Sequence, residues 1–273
     1  MFHCQIDLAN NARVVRSDSF TFLIGPDHVP FIVHAGVVKE LSAPLTAMIE
    51  NGSMKESVER VAVLEDIEIE TFGQFCEYAY KGSYTTAEYV ERNAETASLT
   101  PGWGNPRGLS PTPTAPAETL HPNTALERDF ARKFHALSFQ VGDASVQSTA
   151  SNLNPDFLGH AKLYFFTTRY LIQPLRMQCL QSLHRDLCDF KLNKDNVFRI
   201  IDLLAYTYTH TSPHEPGSCY LREMVSLYTA YTARSLAKYG GLRELMEENT
   251  EIAIDLVERF VFESNIGVQQ GYI

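Results

Sequence analysis

Apolar and polar positions alternate in the first structured part of the chain. Apolar residues recur at every second position over residues 18–24, and a second extended run covers residues 29–34. A Gly-Pro-Asp-His turn separates the two runs, and its Pro26 pre-sets the backbone for that turn. The pattern predicts a β-hairpin. Pro30 cannot donate a hydrogen bond to a neighbouring strand. It is therefore expected either at the start of the second strand or in a strand at the edge of the sheet.

Helical periodicity takes over after the hairpin. The clearest helix is predicted at residues 69–81, where apolar residues recur at i, i+3, i+4 and i+7 from Phe72. Gly82 stands where a C-terminal cap belongs. Three shorter elements are predicted before it: helices at 35–41 and 44–50, and a third strand at 61–64.

The composition changes over residues 91–157. Six prolines stand between Ser98 and Thr124, and a Pro-Thr-Pro-Thr-Ala-Pro run cannot build helix or sheet, which predicts a disordered insertion. Trp103 lies in it and is expected to be exposed, with docking as the alternative. A short helix is predicted near 125–138, with docking back on the core favoured over binding a partner. Its apolar face comprises Leu126, Phe130, Phe134 and Leu137.

The last region, residues 158–273, is predicted to be nearly all helical. Its apolar residues recur at helical spacing, and such stripes bury against neighbouring helices. Predicted helices cover 158–172, 174–190, 195–209, 219–239 and 250–262. Gly240 and Gly241 end the fourth, and Asn249 with Thr250 can cap the fifth.

The charge balance narrows the range of partners. The chain has 33 acidic and 23 basic residues, and residues 1–90 alone carry 13 acidic and 6 basic ones. Binding to a phosphate backbone needs clustered Lys and Arg, so neither nucleic acid nor an anionic membrane is an expected partner. The five cysteines are widely spaced without a C-x-x-C pair, and no apolar run approaches the roughly 20 residues of a membrane span. An intracellular protein with reduced thiols is therefore expected.

No motif for catalysis or for a cofactor is found. The chain lacks a nucleophile elbow, an H-E-x-x-H helix and a glycine-rich phosphate loop. His210 and His214 are four residues apart, but Pro213 between them favours a solvated loop over a metal site. The acidic run over residues 65–70 has a simpler explanation than cation binding, because carboxylates favour the start of a helix. The sequence therefore predicts neither an enzyme nor a cofactor, metal or small-molecule substrate.

Six segments of the chain match one known family together in their order and spacing; they cover 17–25, 31–38, 41–42, 52–57, 61–66 and 72–84. By these segments, residues 17–84 resemble the BTB/POZ domain. Residues 158–175 look like the family's last helical pair, separated from the rest by the insertion. The whole layout resembles BTB proteins common in filamentous fungi. The resemblance implies an α+β fold, in which a small sheet is flanked by helices and an all-helical extension follows.

The resemblance also assigns regions and residues. It implies a BTB/POZ core at 1–90, the insertion at 91–157, the last helical pair at 158–190 and a helical extension at 191–273. Asp18 and His34 match near-constant polar positions of the family, and a structural role as buried or half-buried hydrogen-bonded groups is favoured for both. Met54, Lys55 and Glu56 match a hydrophobic-x-Glu pattern by which some members bind a cullin scaffold, although the structural interpretation is favoured.

The resemblance implies a protein-interaction adaptor located in the nucleus or cytoplasm. Such a protein would associate with itself, with other proteins or with a cullin-type ubiquitin-ligase scaffold. The alternative is a nuclear regulatory or structural assembly factor without ligase contact. Self-association is hypothesised to use an exchangeable N-terminal strand, whose alternating apolar residues are Phe2, Cys4, Ile6 and Leu8.

Overall fold

The computed structural model describes residues 13–86, 125–135, 155–212 and 219–266. Within these ranges the architecture is α+β, with one small sheet and a large majority of helix. None of the helices in the described ranges is both long enough and apolar enough to cross a lipid bilayer.

The sheet has three strands, in the order β2-β1-β3. Strands β1 (Ser19–Ile24) and β2 (Val29–His34) pair antiparallel, which confirms the predicted hairpin. Strand β3 (Val61–Leu64) pairs parallel to β1 on its other side. Strand β2 is therefore an edge strand, and Pro30 lies in it as predicted.

Four helices accompany the sheet: α1 (Ala35–Leu41), α2 (Ala43–Glu50), α3 (Lys55–Glu59) and α4 (Ile69–Lys81). The Ser42 hydroxyl caps α2 by accepting a hydrogen bond from the Leu45 backbone N–H at 3.2 Å. Gly82 ends α4 with a φ of 74°, a conformation that favours glycine. The short helix α3 was not predicted, because five residues carry no recognisable period.

Seven more helices lie in the rest of the described chain. They are α5 (Ala125–His135), α6 (Phe157–Arg169), α7 (Gln173–Asp189), α8 (Val197–His210), α9 (Cys219–Tyr239), α10 (Leu242–Glu248) and α11 (Thr250–Ile266). Helix α6 packs on α4, α7 and α8, whereas α9 packs on α5, α8 and α11. The helical extension and the sheet-bearing part therefore share one continuous core.

Aromatic rings fill the centre of the sheet-bearing part. The Phe72 ring of α4 lies 5.2 Å from the Phe22 ring of β1 and 5.1 Å from the Phe31 ring of β2. It also lies 5.5 Å from the Phe75 ring and 6.1 Å from the Phe166 ring of α6. Centroid distances of 4.5–7 Å with tilted planes are favourable for aromatic pairs. Phe72, on α4, thus connects the sheet to α6.

Some helix boundaries differ from the sequence expectation, and a further helix was not predicted. The helix predicted at 158–172 ends at Arg169, because Leu171 has a φ of +55° and the Ile172 N–H bonds back to the Thr167 carbonyl at 2.8 Å. A residue in the left-handed region closes a helix in this way. Helix α10, between Gly241 and Asn249, was not predicted at all.

The helix predicted inside the insertion is present as α5. Its Phe130 is only 2% exposed, and Leu126 packs against the core, so the predicted docking back is confirmed. Leu137 and Trp103 lie outside the described residues, as does most of the insertion, so its predicted disorder stays a prediction.

Candidate functional site

Met54, Lys55 and Glu56 lie at the start of α3. Met54 is the residue before the helix, in an extended conformation, and its side chain is 36% exposed. Its backbone is fixed on both sides, since its N–H donates to the Asn51 carbonyl at 2.7 Å and its carbonyl accepts from the Ser57 hydroxyl at 3.0 Å. An apolar side chain is therefore presented on a rigid turn at the surface.

The other two residues of this group differ in their surroundings. The Lys55 ammonium reaches the Glu59 carboxylate one turn later, with 3.8 Å between Nζ and Oε2, and both side chains are mostly exposed. Such an exposed pair contributes little to stability. Glu56 is half-buried and lies in the first turn, where a carboxylate is favoured by the helix dipole.

Sequence reasoning missed Val58 as a member of this surface. Val58 lies within α3, four residues after Met54, and it is 70% exposed. The i, i+4 spacing of two apolar residues was the available signal. The exposed Met54 and Val58, together with the half-buried Glu56 between them in the sequence, are here called the α3 surface.

Asp18 and His34 lie at opposite ends of one strand–helix junction. The expectation of burial is wrong for Asp18, whose side chain is 80% exposed and reaches only the Arg60 guanidinium at 3.3 Å. The junction is held instead by its backbone carbonyl, which accepts from the Ala35 N–H at 2.8 Å. An exposed side chain suffices because the main chain makes the structural contact.

His34 is half-buried and hydrogen-bonded, as expected. Its backbone N–H donates to the Tyr80 hydroxyl at 3.0 Å, and its Nδ1 lies 2.9 Å from the same oxygen. The hydroxyl can accept the first bond and donate its own proton to Nδ1. His34 therefore ties the end of β2 to the last turn of α4, and the geometry assigns it a structural role.

The acidic run after β3 is divided among separate basic partners. Glu65 pairs with His28, Asp66 with Arg169 and Glu68 with Lys162. The carboxylates therefore point to different places rather than toward one cation. Within the described ranges, no group of three or more His, Cys, Asp or Glu side chains could hold a metal ion. His214 lies outside those ranges, whereas the His210 ring stacks on Tyr206 in α8.

A buried polar cluster that the sequence did not predict joins the two sides of the insertion. The Tyr84 hydroxyl lies 2.6 Å from Nδ1 of His160, and Nε2 of His160 lies 3.0 Å from Oδ2 of Asp186. One imidazole tautomer satisfies both contacts, with Nε2–H donating to the carboxylate and Nδ1 accepting from the phenol. His160 is only 3% exposed. The residues are 76 and 26 positions apart, so no local signal could have linked them.

The pKa values of Asp186 and Tyr84 agree with a structural role for this cluster. Burial alone would raise the pKa of Asp186, but the hydrogen bond and charge of His160, together with Arg185, outweigh burial and lower it. Burial raises the pKa of Tyr84 well above its ordinary value. At neutral pH the cluster therefore holds an ionised carboxylate and a protonated phenol.

The outer face of the sheet is a second apolar surface. Leu23 of β1 lies between Pro30 of β2 and Val63 of β3, and Thr21 pairs with the 71% exposed Ile32. The inner positions of β1 and β3 are buried, and those of β2 are buried or half-buried. No described helix covers the outer face, so two apolar surfaces, this one and the α3 surface, are exposed on one half of the molecule.

The N-terminal segment named for self-association lies outside the described residues, so the strand-exchange hypothesis stays a prediction.

Compared with models of known families and with curated proteins, the chain matches none.

Proposed function

We propose that the chain is a non-enzymatic protein-interaction adaptor of the BTB/POZ type, acting in the nucleus or cytoplasm. The observation that carries the proposal is the α3 surface, where Met54 and Val58 are exposed and Glu56 lies between them in the sequence. An apolar anchor gains free energy from burial, and a nearby charge orients the partner. A cullin-type scaffold or a second copy of the chain is the proposed partner.

The arrangement of elements supports this proposal. A small sheet flanked by helices, followed by a helical extension, is what the resemblance of residues 17–84 implies, and the described residues have that order. The outer sheet face adds an exposed apolar surface suited to association between proteins.

Purified cullin scaffold can test the first partner directly. The full chain is expected to bind it in a pulldown, and the double variant Met54→Asp with Glu56→Ala is expected to lose that binding. Lys55→Ala is the matched control, because its side chain is 81% exposed and lies between the two substituted positions. Binding by neither the wild type nor the variant would favour a nuclear regulatory or structural assembly factor without ligase contact.

Light scattering tests the second partner. A homodimer is expected for the full chain, with weaker association for a chain lacking residues 1–9. A monomer in both cases at high concentration would remove self-association from the proposal, while equal dimerisation of both would remove only the N-terminal strand.

A further inference from the structure

Helix α5 occupies a pocket on the helical half of the molecule. Phe130 lies against three rings, with centroid distances of 4.8 Å to His184, 5.4 Å to Tyr228 and 6.0 Å to Tyr231. Nε2 of His184 lies 3.2 Å from the Phe130 carbonyl and 3.5 Å from Sγ of Cys188. We call the site formed by His184, Cys188, Tyr228 and Tyr231, on α7 and α9, the Phe130 pocket.

One side chain of α5 is buried among those that the structure describes. Among the described side chains of α5, Phe130 is buried, Leu126 and Glu127 are half-buried, and the remainder are exposed. A helix of 11 residues is marginally stable by itself, so its order here depends on docking. A buried aromatic anchor of this kind is typical of protein–protein recognition.

One ring that contacts Phe130 has a polar atom without a partner among the described residues. Tyr228 is 1% exposed, and its hydroxyl has no hydrogen-bond partner among the described residues. A buried hydroxyl without a partner is unfavourable, and a phenylalanine ring offers no atom to satisfy it. An indole N–H could donate to the Tyr228 oxygen, and a phenol could either donate or accept. The pocket thus has a polar feature that its occupant does not use.

We propose that the Phe130 pocket is a binding site for an amphipathic helix of a partner protein with tryptophan or tyrosine as its anchor, and that α5 is the intramolecular occupant which this helix displaces. The proposal goes beyond the adaptor function, because a chain that binds no cullin and forms no dimer would still have the pocket. Since α5 is tethered, its effective concentration is high, and an external helix must bind better to replace it. The hydrogen bond to Tyr228 supplies that advantage.

Fluorescence anisotropy with synthetic peptides tests the proposal. The probes are labelled peptides of residues 123–137, one with the natural Phe130 and one with Phe130→Trp. The pocket of the full chain is vacated by Phe130→Ala or, without changing the anchor, by Arg128→Pro, which breaks the helix. Arg128→Ala is the matched control, since Arg128 is exposed. Vacated chains are expected to bind the Trp peptide at least tenfold more tightly than the wild type or the control.

The role of the hydroxyl has its own readout. Vacated chains are expected to prefer the Trp peptide over the Phe peptide several-fold, and adding Tyr228→Phe is expected to remove that preference. Equal binding of the two peptides would overturn the proposed anchor chemistry. Absence of peptide binding to vacated chains that keep the wild-type circular dichroism would overturn the site itself.

The wild-type chain gives a measurement that does not depend on how the variants fold. Excess Trp peptide is expected to increase hydrogen exchange in residues 125–135 as α5 is released; unchanged exchange would contradict displacement. If the wild-type chain forms dimers and the Arg128→Pro chain does not, α5 is exchanged between copies of this chain. That result would overturn the proposal that the pocket binds a helix of another protein.

Discussion

The sheet-bearing part, residues 13–86, and the helical part, residues 155–266, bury different kinds of side chain. Only two buried side chains of the first part are polar, Ser42 and Thr71, whereas ten of those described in the second part are polar or charged. The first part is centred on packed phenylalanine rings. The second combines apolar stripes with buried threonines, histidines and arginines.

Most of the buried threonines are satisfied inside their own helices. Their hydroxyls donate to carbonyls three or four residues earlier, as Thr207 does to Leu203 at 2.7 Å and Thr229 to Val225 at 2.8 Å. Burial therefore leaves these hydroxyls paired. Strand pairing fixes the register of the first part. In the second part, polar contacts between helices help to fix how the helices align with one another.

The clearest of these contacts holds α11 against α8 and α9. The Arg222 guanidinium of α9 donates to Asp255 at 2.9 Å and to Glu251 at 2.8 Å, both on α11. The Tyr208 hydroxyl of α8 donates to the same Asp255 oxygen at 2.6 Å, and the Arg222 guanidinium lies over the Tyr208 ring. Three helices thus meet at one carboxylate.

The largest expected effect is in the aromatic centre of the sheet-bearing part. Phe72→Ala is expected to lower the free energy of unfolding by about 3–5 kcal/mol, because it removes ring contacts to the sheet and to α6 and leaves a cavity. Chemical denaturation measures the loss. Ile69→Ala, on the same helix but 38% exposed, is the control and should cost less than about 1 kcal/mol. Equal losses would mean that Phe72 has no central role.

The next largest effect is expected at Asp255, whose carboxylate accepts hydrogen bonds from both Arg222 and Tyr208. Asp255→Ala leaves the nearly buried Arg222 and the Tyr208 hydroxyl without their shared acceptor, and about 3 kcal/mol is expected to be lost in denaturant unfolding. A triple variant with Tyr208→Phe, Arg222→Met and Asp255→Leu is expected to lose less, because no group is then left unpaired. A larger loss in the triple variant would show that the polar network itself favours folding.

A smaller, pH-dependent effect is expected where the two parts meet. Because the pKa of folded Asp186 lies below its ordinary value of 3.8, its stabilising contribution is present above about pH 4 and is lost as the pH falls through the folded pKa. Thermal melts at pH 7 and pH 3 should therefore show that Asp186→Asn costs more at pH 7. Asp189→Asn, exposed on the same helix, is the control. A pH-independent difference would contradict the assignment.

The smallest effect is expected from shortening the insertion. Deleting residues 93–124 should leave the melting temperature nearly unchanged, because Tyr84, through His160, and Phe130 both reach the last turns of α7. The remaining residues can span that short separation. Deleting 93–138 also removes α5 and should lower the melting temperature by several degrees. A large fall for the shorter deletion would show that residues 93–124 contribute to the fold.

The elements predicted correctly are those with a local signal. The hairpin, α4 with its glycine cap, and α9 with its glycine stop each follow from residues within a few positions of one another. The end of α6 was predicted three residues too late, because the left-handed Leu171 results from how the chain enters α7. Helices α3 and α10 have five and seven residues, too few to show a period.

The sites were less accessible to sequence reasoning. Met54 and Glu56 could be named from a short motif, but Val58 beside them was not, and the exposure of Asp18 ran against expectation. Tyr84, His160 and Asp186 meet across the insertion. No spacing rule connects residues so far apart.

The sequence alone determined all three strands and the longer helices, apart from some of their ends, and which of their faces are apolar, since these depend on side-chain order over two to four residues. The tertiary structure decided which polar groups meet inside the molecule and that α5 returns to the pocket between α7 and α9. It also decided that the Tyr228 hydroxyl has no hydrogen-bond partner within the part of the chain that the structure describes. The physical reason is that burial stabilises any apolar face without direction, whereas hydrogen bonds need two particular atoms at one distance and angle. Only the folded chain brings those atoms together.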